Sequence, residues 1–126
     1  MLMSNLILKD ESYAIIGACM HVHSILGSGF KEAVYQEALE KELTSRCIDH
    51  VRHKRLKLFY DGLELSKYFI ADFLCYNKIV LEIKAVEYII KEHEKQLLNY
   101  LKATNFQLGL LINFGQTSLQ FKRFIY

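Results

Sequence analysis

The chain has 126 residues, 52% of them hydrophobic and 24% charged, with a formal net charge of +2. That length supports one hydrophobic core and not two, and the composition is that of a globular protein rather than a disordered, fibrous or disulfide-stapled one. No apolar run reaches the ~18 residues of a membrane span, the opening MLMSNLILKDES lacks the basic and long apolar segments of a secretion signal, and so mild a charge permits nucleic-acid binding without demanding it.

Residues 9–26 read as a helix with Tyr13, Ile16, Met20 and Ile25 near helical spacing. His21 and His23 within it point to different faces and do not share a metal. Gly27-Ser28-Gly29 stops this helix, and a second runs over 30–45 with Val34, Ala38 and Leu39 toward the core. Glu32 and Tyr35 share a face there, and Glu32 lies in the first turn, where the helix dipole favours a carboxylate. A strand over 53–60 follows, led by the basic cluster from Arg52 to Lys57, which reads either as a phosphate contact or as a solvated face. Asp61-Gly62 signals a hairpin, and the returning strand, 63–75, is expected to bulge near Ser66-Lys67.

A third strand, 79–85, completes a meander. Helical periodicity resumes from 89 or 91 to 103, with Leu97, Leu98 and Leu101 facing inward and Gln96 stacked on Tyr100 one turn later. The apolar run 106–114 predicts a buried parallel strand reached by a right-handed crossover, Gly115 turns the chain, and 118–126 forms a last strand. The sequence thus predicts one domain over residues 1–126, an α/β fold with a mixed sheet in the order α-α-β-β-β-α-β-β, without repeat, linker or proline. Cys19, Cys47 and Cys75, odd in number and without metal spacing, read as reduced packing residues of a cytoplasmic protein.

The second and third strands carry the most informative stretch. Ile70-Ala71-Asp72-Phe73-Leu74 and Ile79-Val80-Leu81-Glu82-Ile83-Lys84 flank the loop Tyr76-Asn77-Lys78. Alternation projects Glu82 and Lys84 from one face and Leu81 and Ile83 from the other. Asp72 joins that charged face only if it lies opposite Glu82, which centres the hairpin on Asn77 and requires an odd-numbered loop with positive φ at Asn77 or a neighbour. Two carboxylates roughly 5 Å apart repel by about 3 kcal/mol at an effective dielectric of ~20, so a compensating cation is needed. Lys84 supplies part of that charge and a divalent metal the rest; carboxylate oxygens suit Mg²⁺ and Mn²⁺. The same pattern also describes an ordinary edge hairpin with an exposed Glu-Lys pair.

Gly29-Phe30-Lys31-Glu32-Ala33-Val34-Tyr35, with Gln36-Glu37-Ala38-Leu39, resembles the motif of the GxxExxY protein family. Leu81 to Glu87, Gln96 to Leu101 and Leu110 to Phe114 are similar to that family in the same order, so the resemblance covers nearly the whole chain from about residue 10. The family is assigned to the PD-(D/E)XK nuclease superfamily, which implies a restriction-endonuclease-like core. The resemblance makes Asp72 the motif aspartate, Glu82 its second acid and Lys84 its lysine. Glu32 matches the acid of the preceding helix, and Gln96 with Tyr100 matches a Gln-x-x-x-Tyr pair of exonuclease-like members. Ala71 replaces the eponymous proline, a position without chemistry.

The resemblance implies a Mg²⁺- or Mn²⁺-dependent nuclease acting on DNA. Asp72 and Glu82 would hold the metal with the carbonyl of Ile83 and Glu32, and Lys84 would act on the attacking water. Gln96 and Tyr100 would shape the site or hold substrate phosphate. Lys31, Lys91 and Lys95, with Arg52 and Lys54, are candidate nucleic-acid contacts. The alternative is a non-hydrolytic nucleic-acid- or protein-binding module on the same fold. Exposed apolar surface leaves room for a homodimer or a protein partner.

Overall fold

The computed structural model describes residues 7–126. Helices α1 (Lys9–Leu26) and α2 (Glu32–Ser45) lead into strands β1 (His50–Tyr60), β2 (Leu63–Cys75) and β3 (Ile79–Lys84). Helix α3 (Lys91–Thr104), β4 (Leu108–Asn113) and β5 (Gln120–Ile125) complete the order. The five strands form one sheet in the order β1-β2-β3-β4-β5. Only β3 and β4 run parallel, because only they are joined by a crossover helix; every other neighbouring pair is antiparallel.

Helices cover both faces. Against α1 and α2 pack Phe73, Leu81, Ile83, Leu110 and Ile112, while Ala71, Leu74, Val80 and Leu111 pack against Leu97 and Leu101 of α3. A strand covered on both sides must be apolar on both sides, and every residue of β4 is buried. Each fully buried Leu, Ile or Phe contributes about 1.5–3 kcal/mol of transfer free energy, so the β3–β4 pair is the centre of the fold. Among the described residues no helix is long and apolar enough to cross a membrane.

The turns follow the residues that form them. Asp61 (φ 50°) and Gly62 (φ 80°) make a two-residue turn between Tyr60 and Leu63. The expected bulge is present: pairing passes from Lys57↔Tyr68 to Phe59↔Glu64, so residues 65–67 of β2 face Leu58 alone. Between β2 and β3, Tyr76 (φ 55°) and Asn77 (φ 57°) are both left-handed, and the Lys78 N–H donates to Cys75 O at 3.0 Å.

Several inward-facing expectations are corrected. Tyr13, Met20 and Ile25 are exposed, and α1 instead buries Ser12, Ile15, Ile16, Ala18, Cys19, Val22 and His23. Val34 and Leu98 are also exposed. α1 carries apolar residues around much of its circumference, so periodicity alone does not select its buried side, whereas Val34 and Leu98 lie beside the buried stripe of their helices. Cys47 is an exposed, left-handed residue just after α2, not a packing residue, whereas Cys19 and Cys75 are buried. Gly115 is needed for close approach: a Cβ there would lie 2.1 Å from Val86 O.

Candidate active site

β2 and β3 are laddered only through Phe73↔Leu81, Leu74↔Val80 and Cys75↔Ile79. The next step in that register sets Asp72 opposite Glu82, and there side chains take over from the ladder. The Asp72 N–H donates to Glu82 Oε2 at 3.2 Å, and the Ile83 N–H donates to Asp72 Oδ2 at 2.7 Å. The strands part at this point, each carboxylate tied by one oxygen to the opposite backbone.

A change of face in β2 opens the split. Phe69 and Ala71 belong to the cluster under α3, but Phe73 and Cys75 belong to the cluster under α1 and α2, so alternation breaks at Asp72. β1 is irregular at the same level: its ladder passes in unchanged register from Arg52↔Phe73 to Lys54↔Ala71, skipping His53, whose φ is 54°. As a result two consecutive residues reach the same helix. Arg52 pairs with Glu40 at 3.2 Å, and the His53 ring meets Gln36 one turn earlier on α2. A left-handed non-glycine residue costs roughly 1–2 kcal/mol, an outlier of the kind that clusters at functional sites.

Glu32 arrives from the start of α2. Gly29 (φ 111°) turns the chain, and Tyr35 fixes the turn. Its Oη donates to Gly27 O at 2.5 Å and accepts from the Phe30 N–H at 3.2 Å, while its ring stacks on Phe114 at 4.7 Å. Tyr35 is fully buried, so it acts as the anchor that sets where Glu32 stands. Gln36, four residues on, donates from Nε2 to Glu32 Oε1 at 3.3 Å.

The three carboxylates sense one another. Burial, then the Asp72 charge, pushes Glu82 up to about 8, against the opposing pull of the Asp72 N–H and Lys84. Burial also raises Asp72, opposed by the Ile83 N–H, Lys84, His53 and Gln36. Glu32 is raised by burial and by Asp72, and lowered by Lys84, Gln36 and His93. Lys84 is thus the cation common to all three. Three hard oxygen donors, underneutralised and half-buried, are of the chemical kind that Mg²⁺ or Mn²⁺ takes, but among the described residues no three or more His, Cys, Asp or Glu stand as a group that could hold a metal ion. Two of these carboxylates are instead engaged with backbone N–H groups.

The sequence profile of the PD-(D/E)XK nuclease superfamily matches residues 9–124. The chain belongs to the PD-(D/E)XK nuclease superfamily. No curated protein and no solved structure matches it. The mixed sheet with helices on both faces is consistent with a PD-(D/E)XK core, and Ala71 is buried where β2 changes face.

The other residues singled out in this PD-(D/E)XK chain are dispersed. Gln96 donates to Tyr100 Oη at 3.2 Å on α3, and the Tyr100 ring stacks on Phe69 at 3.6 Å, so this pair is anchored to β2 near the split. Lys31 caps α2 beside Glu32, Lys91 begins α3, and Lys54 and Lys95 are exposed. Arg52 is drawn against α2 by Glu40. Sequence reasoning missed Gln36, His53 and His93. Gln36 was accessible from its i,i+4 spacing to Glu32; His53 was not, because a left-handed residue inside a strand leaves no sequence signal.

Proposed function

We propose that this chain is a Mg²⁺- or Mn²⁺-dependent nuclease of the GxxExxY type, hydrolysing phosphodiester bonds in DNA. The observation that carries this reading is the register that sets Asp72 opposite Glu82, with Glu32 and Lys84 completing one cluster at the point where two strands part. Asp72, Glu82 and Glu32 would hold the ion, with the carbonyl of Ile83 as a neutral ligand. When bound, the ion supplies positive charge against the scissile phosphate and acidifies the attacking water.

The protein's own groups do the rest. Lys84 would orient the water, assist its deprotonation and offset charge on the phosphate. Gln96 and Tyr100, locked to each other and to Phe69, offer a hydroxyl and an amide to a substrate phosphate, and that pair favours exonuclease-like or structure-directed cleavage. Lys31, Lys54, Lys91 and Lys95, though dispersed, would add positive charge for the substrate backbone; Arg52, paired with Glu40, would contribute less.

The test is cleavage of single- and double-stranded DNA in Mg²⁺ and in Mn²⁺, with a chelator control. Wild-type protein is expected to cleave only with metal, and folded Asp72→Ala and Lys84→Ala variants are expected to fall by at least ~100-fold. Cleavage undiminished in both variants would overturn the assignment. Metal-independent DNA binding without turnover would replace it with the non-hydrolytic module.

A further inference from the structure

Beyond the acidic cluster, the side chain that stands out is His53. It lies in mid-strand with a left-handed backbone, at the level of Asp72, and its Nε2 is 3.0 Å from Gln36 Oε1. Gln36 is buried, with only 6% of its surface exposed, so its amide orientation matters. Its Nε2 faces Glu32 Oε1 at 3.3 Å. Were the amide turned over, its oxygen would face the Glu32 carboxylate. The carbonyl end must therefore point at His53, and as an amide oxygen only accepts, the His53 Nε2 must carry the proton.

We propose that His53 is a positioning residue of this site: through its Nε2–H it holds the Gln36 amide, whose NH₂ in turn holds the Glu32 carboxylate toward the Asp72–Glu82 pair. The inference rests on the metal-dependent reading of the cluster. It explains why the backbone of β1 adopts an unfavourable conformation at this position: an extended residue 53 would alternate with Arg52 and turn away from α2. Arg52 and His53 together clasp one turn of α2, at Glu40 and Gln36, and so fix the helix that carries Glu32 against the strand that carries Asp72.

Two measurements test this, one with metal and one without. Mn²⁺ binding by calorimetry is expected to weaken by about 10-fold in His53→Ala and in Gln36→Ala, the range seen when groups behind metal ligands are removed. His53→Gln, whose Nε2 stands close to where the ring Nε2 stood, should recover most of the loss. Thermal melting should show all three variants folded, and the recovery in His53→Gln separates loss of the hydrogen bond from a general packing defect. In the metal-free protein, ¹⁵N spectra should report His53 as the Nε2–H tautomer, and Gln36→Ala should convert it to a mixture. Unchanged Mn²⁺ affinity in His53→Ala, or an Nδ1–H tautomer in the wild type, would overturn the proposal. Wild-type protein that binds no Mn²⁺ but keeps a Gln36-dependent tautomer would instead overturn the metal-dependent reading while supporting the hydrogen-bonded frame.

Discussion

Glu82 shows most clearly what the site demands of single residues. Burial, then the neighbouring Asp72 charge, pushes its carboxyl up from the ordinary 4.5 to about 8. Between those values the folded chain binds more protons than the unfolded chain, so this group's contribution is fully present below about pH 4.5 and is lost as pH rises toward 8. Asp72 and Glu32 shift in the same direction and add to the trend. In chelator, the urea midpoint is therefore expected to fall from pH 5 to pH 8. Glu82→Gln should flatten that fall and stabilise the protein by about 2 kcal/mol at pH 8, while Mn²⁺ should flatten it in the wild type. A midpoint that rises with pH over this window would mean that the fold stabilises these carboxylates as anions, contrary to the burial that raises all three.

At the scale of elements, the segment between β3 and α3 is held by Asn113 at the end of β4. Its Oδ1 accepts from the Val86 and Gly115 N–H groups, each at 3.0 Å, and its Nδ2 donates to Val86 O at 2.9 Å and Gln120 Oε1 at 3.0 Å. The side chain is fully buried, so Asn113→Ala leaves several backbone groups without partners and is expected to cost about 3 kcal/mol in urea unfolding. Gly115→Ala, forcing a methyl into the Val86 backbone, should cost at least as much. Losses below ~1 kcal/mol for both would show that Asn113 and Gly115 do not hold this segment in place. Element order, the Asp61-Gly62 turn and the Asp72-to-Glu82 register were all legible in sequence, because alternation, loop parity and glycine placement are local. The buried side of α1 was not, since Tyr13, Met20 and Ile25 stand at helical spacing as Ile15 and Val22 do, and only the packed partner decides. The His53–Gln36 contact was hidden for a related reason: it depends on where β1 is irregular, which the sheet determines as a whole.

For the whole molecule, the consequence is a division between a rigid centre and a strained margin. β3 and β4 are sealed between α1 and α2 on one side and α3 on the other, and that burial outweighs the repulsion among three carboxylates where β2 parts from β3. The two helix starts beside the split bring Glu32 and His93 within electrostatic reach of one another, so the parts of the cluster come from distant regions of the chain but meet at one notch. The most direct test is a crystal soaked in Mn²⁺ and examined by anomalous scattering. One peak among Asp72, Glu82 and Glu32, lost in Asp72→Ala, is the predicted result; saturating Mn²⁺ with no peak there, or with a peak only elsewhere, would contradict it.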